Sequence, residues 1–514
     1  MSEPDEAGPR AGVAESHISW VFFAGDRAYK LLKPIRTSFL DYSTAELRRA
    51  ACEREVELNR RLAPDVYLGT SPILEHGEPV DHLIVMRRLP ERRRLSALAG
   101  TPGFLDRVRD VARAVAAFHS VLRPDAGAAR VAGRDRLERL WTTENLDQMA
   151  GPGRPVGGAG SVHDPAVLAE VRSLATQYLA GRGPLFERRI AEGHAVDGHG
   201  DLLADDIFCL DDGPRILDCL AFDDDLRRGD VLADLAFLAM DLEHLPDGTA
   251  AAAALVAAYD EFGNEHHPRS LLHFYVAQRA LVRAKVRGLR SAQGDGVGGT
   301  AAAREADAFL RQCLEHLRAA TVRLVVVGGA PGTGKSTLAR GLAERLGATV
   351  LSSDELRKDL AGLARSDHAG ASLDEGLYSP PMTERTYRGL LALARTLLGL
   401  GEPVVLDASW GDATRREQVR RVAVETASVL TELRCELDPD RAGARIRERL
   451  ARQESARDLT DASRASDATP TLARALAERA DPWPEATALH TSAPVDDTLA
   501  AALEVVAAQR IVPA

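Results

Sequence analysis

Residues 329–336 read GAPGTGKS and match GxxxxGK[ST] at every fixed position. Gly329, Gly332 and Gly334 free the backbone to turn its N–H groups inward on phosphate oxygens, with Ala330, Pro331 and Thr333 completing the loop. The helical pattern that follows adds the positive end of its dipole. Lys335 would place a charge on the β- and γ-phosphates of a nucleotide. Ser336, followed by Thr337, would offer a hydroxyl to Mg²⁺. A glycine-rich turn with a chance lysine is the bland alternative. The apolar stretch before the loop and the helix after it argue against that alternative.

Other groups with chemistry lie downstream. Asp407 ends the apolar run 404–406, and an acid at that end of a sheet strand faces the ligand crevice, where it could hold Mg²⁺ through water. It could equally be a simple strand-end cap. In LSSDELRKDL (351–360), Asp354 and Arg357 are spaced to share one face of a helix start. The carboxylate could take a proton from an acceptor hydroxyl and the guanidinium could hold an anionic group; a helix cap with a surface ion pair fits as well. Residues 440–457 are rich in arginine: Arg441, Arg445, Arg447, Arg449, Arg452 and Arg457. Arg445, Arg449 and Arg452 share a face, and spacing does not choose among them; Arg449 is carried forward as the phosphate-contacting candidate.

The first half of the chain holds a second constellation. Residues 196–222 contain His199-Gly200-Asp201, then Asp206, then Asp218 at the end of a short apolar run, with Asp230 and Asp234 beyond. Near the N-terminus Lys30 and Lys33 lie in or beside a strand pattern, and Glu53 and Glu55 in the helical pattern that follows. Taken singly these are weak signals, since a lone His is usually a hydrogen-bonded structural residue and a lone Lys usually a surface one.

These groups need elements to position them. Residues 17–24 and 27–34 alternate as two strands around a Gly25-Asp26 turn. Residues 44–62 have helical periodicity, and 82–86 read as a strand leading into 86–89. The chain is then mainly helical, with a Gly-rich loop at 151–161, a strand-turn-strand island at 196–222, and an interruption at 294–300 before a helix at 301–319. From residue 322 apolar strands alternate with helices: 322–327, 349–351, 404–406, 433–437 and 487–490. That alternation predicts a parallel α/β sheet. The boundary is placed near 320, giving units of 1–320 and 321–514.

Taken together, GAPGTGKS, SSDELRK and VVLDAS resemble the small P-loop kinases, the ATP-binding group of AAA type that includes gluconate kinase, polynucleotide kinases and zeta toxins. The first half resembles the aminoglycoside phosphotransferase family, which shares the two-lobed protein-kinase fold. That resemblance implies that Asp201 accepts the proton of a substrate hydroxyl, and that Asp206 and Asp218 bind Mg²⁺. It also implies that Lys30 or Lys33 contacts the α- and β-phosphates, paired with Glu53 or Glu55. Lys30 is chosen because Lys33 abuts Pro34, and Glu55 is favoured over Glu53. Residues 86–89 correspond to a hinge whose backbone receives adenine. The family's usual Asn five positions after the HGD aspartate is Asp206 here, an added negative charge beside a triphosphate, with Asp205 adjacent as an alternative ligand. The tandem order resembles bacterial bifunctional aminoglycoside phosphotransferase/ATP-binding proteins over nearly the whole chain.

Bulk properties narrow the classes. The chain has 514 residues, 45% hydrophobic and 27% charged, as in a folded protein, and a formal net charge of −11 that disfavours a partner of long nucleic acid. The five cysteines show no CxxC pair, which fits reduced thiols better than disulfides or a zinc site. The polar, acidic start carries no secretory pattern and no run is long and apolar enough to span a membrane, so a cytoplasmic protein is expected. The expectation is a kinase with ATP, Mg²⁺ and a small hydroxylated acceptor. Three classes stay open: two active kinase domains, a P-loop kinase regulated by a non-catalytic kinase-like domain, or a C-terminal kinase of nucleotide or nucleic-acid ends.

Overall fold

The computed structural model describes residues 12–36, 40–150, 163–293, 297–364, 375–455 and 469–509. The chain divides into two compact units. The first comprises Met1–Arg172, Phe186–His267 and Leu272–Leu317; the second comprises Ser173–Leu185, Pro268–Leu271 and Arg318–Ala514.

The first unit opens with a five-stranded antiparallel sheet: β1 (Gly12–Glu15), β2 (Ser19–Ala24), β3 (Arg27–Leu32), β4 (Tyr67–Glu75) and β5 (Glu78–Arg87), in the order β1-β2-β3-β5-β4. The Gly25-Asp26 turn is as expected, with Ala24 opposite Arg27 and Gly25 at φ 60°. Two strands escaped the sequence reading. β1 precedes the first expected strand, and β4 carries Gly69 and Pro72, which read as breakers. β4 lies at the sheet edge, where Pro is tolerated, and a register shift at Gly69 absorbs the glycine.

The helix Ala45–Asn59 packs on β4 and β5, capped by Thr44, whose hydroxyl accepts the Leu47 N–H at 3.3 Å. Its inward face, Cys52, Val56 and the neighbouring Ala63 and Val66, closes a core with Leu32, Tyr67 and Ile84. The rest of this unit is mainly helical, broken by two small ribbons. β6 (Ala195–Asp197) pairs with β9 (Arg228–Asp230), and β7 (Ile207–Leu210) with β8 (Gly213–Ile216). A sheet lobe with one packed helix, followed by a helical lobe with such ribbons, is the expected two-lobed protein-kinase-like fold.

The second unit is the expected parallel α/β sheet: β10 (Arg323–Gly328), β11 (Thr349–Ser352), β12 (Val404–Asp407), β13 (Val429–Glu436) and β14 (Thr487–His490), ordered β11-β12-β10-β13-β14. Every pairing is parallel. Val325, Val326 and Val327 are all at most 1% exposed, because helices cover both faces of such a sheet. The order reverses direction around β10, so the crevice for a ligand opens at its C-terminal end.

The stretch 151–161 lies outside the described residues. The interruption expected at 294–300 is shorter than the sequence implied, since helix Val297–Ala319 begins before it ends. Gly298 and Gly299 fall in the first turn, where N–H groups have no intrahelical partner and glycine costs least. All five cysteines are buried and unbridged. Among the described residues no helix is long and apolar enough to cross a membrane.

Candidate functional site

In the second unit, β10 runs into the phosphate-type loop and the helix Lys335–Leu346 begins at its last two residues. Three glycines are required by geometry. A Cβ at Gly332 would stand 2.6 Å from the Ala442 carbonyl oxygen, and at Gly329 2.6 Å from that of Cys435. Gly332 and Gly334 sit at φ 84° and 89°, the left-handed region. The Gly329 N–H donates to the Ser409 carbonyl at 3.1 Å, so this residue anchors the loop to the segment after β12. Thr333 is buried and closes the turn through its hydroxyl, which donates to the Ala330 carbonyl at 2.8 Å; Pro331 is buried between them. Gly332→Ala is expected to destabilise this loop by ~1–3 kcal/mol from backbone strain alone, and to weaken nucleotide binding at least tenfold in calorimetric titration.

A cavity of about 190 Å³ opens on this loop, and Lys335, Ser336, Asp407, Asp354, Arg445 and Arg449 are among its lining residues, with Thr337 at its edge. Asp407 is 4% exposed. Burial pushes its carboxyl up, against the opposing pull of Lys335 and of a hydrogen bond from the Ser336 hydroxyl. Its Oδ1 is buried without a hydrogen-bond partner among the described residues. A hydroxyl and an orphaned carboxylate oxygen side by side, next to a lysine, are a hard-oxygen donor set that fits Mg²⁺, which binds few protein ligands and keeps waters and phosphate oxygens for the rest.

Asp354, at the start of the helix Ser353–Ala361, reaches the cavity. Arg357 does not line it: it is 6% exposed, bonded to Asp354 at 3.1 Å and stacked 4.7 Å over Tyr378. Glu355, Ser352 and Arg340 line the same space and were not singled out from sequence. Arg340 was legible in principle, five residues after Lys335 on the same helix. On the helix Pro439–Ser455, Arg445 and Arg449 enter the cavity one turn apart, and Arg445 also donates to the Thr491 carbonyl at 2.9 Å. The Arg452 side chain and all of Arg457 lie outside the described residues. A larger cavity, about 1050 Å³, lies along Gly329, Ala330 and Thr333 and is walled by Trp410, Arg441 and Trp483.

In the first unit, Lys30 on β3 bonds Glu55 Oε1 at 2.8 Å and Asp218 Oδ1 at 3.1 Å. Burial opposes its charge, but the carboxylates of Asp218 and Glu55 outweigh it and hold the ammonium well above its ordinary value. Lys33 points elsewhere, bonding Glu15 at 2.5 Å and the Ser16 carbonyl at 2.7 Å, and Glu53 is exposed. In the 86–89 segment the Arg87 and Arg88 amides are spent on the carbonyls of Val66 and Asp26.

Asp218 follows β8 with φ 61°, a left-handed conformation that aspartate tolerates better than most residues. Its side chain is 54% exposed, and Lys30 holds its carboxyl low. Asp201 and Asp206 share its field: burial, then the charge of Asp218, push Asp201 up to about 6 and Asp206 well above the carboxylate range. Asp205 is turned away, accepting from the Ser96 hydroxyl at 2.5 Å. Among the described residues no three acidic, His or Cys side chains converge closely enough to hold a metal unaided. Three carboxylates that raise one another's cost of charge fit Mg²⁺ brought in with a triphosphate.

The loop that carries Asp201 is fixed from behind. Asp234 accepts the His199 N–H at 2.6 Å and the Gly200 N–H at 2.8 Å; burial raises its carboxyl, but His119 above all, and then His199, hold it at about 2. His199 is fully buried and pushed down to about 4 by burial. It is therefore neutral, with Nε2–H donating to the Leu217 carbonyl at 3.1 Å: a structural residue rather than a proton carrier. Arg61 ties the helix end to this loop through the carbonyls of Asp197 and Gly198 at 2.9 and 2.6 Å. Neither Asp234's clamp nor Arg61's was readable from spacing.

A family model described as an AAA domain matches residues 324–467. The chain is 40% identical over 494 residues to the uncharacterized protein Rv2004c of Mycobacterium tuberculosis, covering 95% of this chain and 93% of that protein, and equally to the uncharacterized protein Mb2027c of Mycobacterium bovis. Among solved structures, a choline/ethanolamine kinase family protein from Mesorhizobium loti matches 61% of this chain and 93% of its own, with TM-score 0.35 and 17% identity. The Mycobacterium tuberculosis APS kinase CysC, in complex with AMPPNP and APS, matches 36% of this chain and 98% of its own, with TM-score 0.27 and 21% identity.

Proposed function

The chain belongs to the same family as the mycobacterial protein Rv2004c, and we propose that it is an ATP- and Mg²⁺-dependent phosphotransferase. It moves the γ-phosphate of ATP to a hydroxyl of a small molecule, with one nucleotide site in each half, divided at 320/321. It works in the cytoplasm and needs neither membrane nor long nucleic acid. The observation that carries this reading is the pairing of Ser336 with the orphaned, buried Asp407 oxygen beside Lys335, in a loop where a side chain at Gly329 or Gly332 would collide with the neighbouring backbone.

In the C-terminal half Lys335 and the loop amides bind the phosphates, and Ser336 and Asp407 hold Mg²⁺, which neutralises charge on the β- and γ-oxygens when bound. Arg445 and Arg449 close on the same cavity from the opposite helix and offset the charge spread over the transferring group. Asp354 accepts the proton of the acceptor hydroxyl, and Arg357 orients Asp354 through their 3.1 Å contact. In the N-terminal half Lys30, fixed by Glu55, binds phosphate; Asp206 and Asp218 take the metal; Asp201 accepts the acceptor's proton. A second reading, in which the N-terminal half only senses nucleotide and regulates its neighbour, is favoured by one feature, the extra carboxylate of Asp206.

Calorimetric titration of the full chain with Mg·ATP separates them: two sites support the bifunctional reading, one supports the regulatory one. Asp354→Asn keeps shape and loses the proton acceptor, so turnover by the C-terminal site should fall ~10²–10⁴-fold with nucleotide affinity nearly unchanged. A variant that reacts normally but binds ATP poorly would make Asp354 a structural cap.

A further inference from the structure

The Asp218 side chain is half exposed, and where it points follows from the backbone that carries it. That backbone sits at φ 61°, which no L-residue adopts by preference, so neighbouring groups must hold it. The amides of residues 217–220 show which groups these are. The Leu217 N–H donates to the Asp206 carbonyl at 3.0 Å, and the Leu220 N–H to the His199 carbonyl at 3.1 Å. Both acceptors flank Asp201 in sequence. The two amides between them are taken by side chains from the sheet lobe. The Asp218 N–H donates to the Tyr67 hydroxyl at 3.4 Å, and the Cys219 N–H to Asn59 Oδ1 at 2.9 Å.

Asn59 is the last residue of the helix Ala45–Asn59 and is 1% exposed. Its Nδ2 donates to the Glu55 carbonyl, one turn back, at 2.9 Å. Only this orientation of the carboxamide offers an acceptor to the Cys219 amide and a donor to the Glu55 carbonyl. The contacts close a ring. Glu55 Oε1 takes the Lys30 ammonium at 2.8 Å, and Lys30 reaches Asp218 Oδ1 at 3.1 Å. The Cys219 amide then returns to Asn59, and Asn59 to Glu55. Both polar atoms of a buried side chain are committed to this one link.

We infer that Asn59, with Tyr67 beside it, is a positioning residue for the N-terminal site: it sets the turn that aims Asp218 at the metal, and it ties that turn to the helix that carries Glu55. This rests on the kinase reading of that site. Asn59 acts on the metal only through Asp218. One link then sets both the lysine that meets phosphate and the carboxylate that meets Mg²⁺.

The test uses the full chain in the Lys335→Ala background, so that the C-terminal loop contributes little to nucleotide binding. AMPPNP binding is followed by calorimetry as Mg²⁺ is raised, and the readout is the Mg²⁺ concentration at half-maximal binding. Asn59→Leu keeps the size of the side chain and removes its hydrogen bonds. It should raise that midpoint ~10–100-fold, as for loss of a residue that orients a metal ligand. At saturating Mg²⁺ the AMPPNP affinity should return to that of the parent chain, which a general loss of packing would not allow. Tyr67→Phe should shift the midpoint the same way by a smaller factor. In an Asp218→Asn background neither change should add anything, because both act through that carboxylate. Should Asn59→Leu fail to fold, the Tyr67→Phe shift and its disappearance in the Asp218→Asn background carry the test. An unmoved midpoint, an affinity that excess Mg²⁺ does not restore, or a shift that persists in the Asp218→Asn background overturns the inference. Failure of the kinase reading shows separately, as an Mg²⁺ requirement that Asp218→Asn by itself leaves unchanged.

Discussion

Lys335→Ala is expected to cut ATP turnover by the C-terminal site ~10²–10³-fold, because it deletes a preorganised cation from the transferring phosphates in a partly desolvated cavity. The same change removes the charge that draws the Asp407 carboxyl down, so metal-dependent nucleotide binding should weaken as well. Folding should survive. Lys335 is the first residue of its helix, its side chain faces the cavity, and the loop is held by Gly329 and Thr333 through bonds that do not involve it. The measurement is ATP turnover of the full chain in an Asp201→Asn background, which silences the other site. Turnover unchanged by Lys335→Ala would remove the phosphate-binding assignment of the loop.

The second large effect is a contrast between two aspartates of the N-terminal site. Asp201→Asn should leave nucleotide binding intact and lower phosphoryl transfer ~10²–10⁴-fold, since it removes a proton acceptor and not a phosphate or metal contact. Asp218→Asn should do the reverse: it should weaken Mg²⁺-dependent ATP binding by ~10²-fold or more, as expected for loss of a metal ligand. Asparagine accepts the φ of 61° at 218, and Lys30 keeps Glu55 as its partner, so the fold is not at stake. Titration with and without Mg²⁺, in the Lys335→Ala background, reads both. ATP binding that needs no metal and ignores Asp218→Asn would establish a regulatory, non-catalytic site. Asp206→Asn should be neutral or strengthen metal-dependent binding, because it lifts one of three mutually repelling carboxylates.

The parallel sheet and the phosphate-type loop were legible in the chain because their signals are local. Buried parallel strands are continuous apolar runs, and the loop needs glycine at the positions where Cys435 and Ala442 come close. The same holds for the Gly25-Asp26 turn. β4 was missed for the opposite reason: its Gly69 and Pro72 are breakers locally and harmless only at a sheet edge.

Which residue types could act, and their order along the chain, were readable from the amino acids alone. Tertiary structure decided between neighbours that the sequence could not separate. Lys30 rather than Lys33 meets Glu55 and Asp218, because Lys30 lies within β3 while Lys33, one residue past its end, is held by Glu15 and the Ser16 carbonyl. Asp206 rather than Asp205 shares the field of Asp201, since Asp205 is held by Ser96. Arg445 and Arg449 reach the cavity while Arg357 stays behind Asp354. Local patterns record what a segment needs from its own backbone, whereas a charge acts through space, and which charges meet is fixed only when the chain is folded.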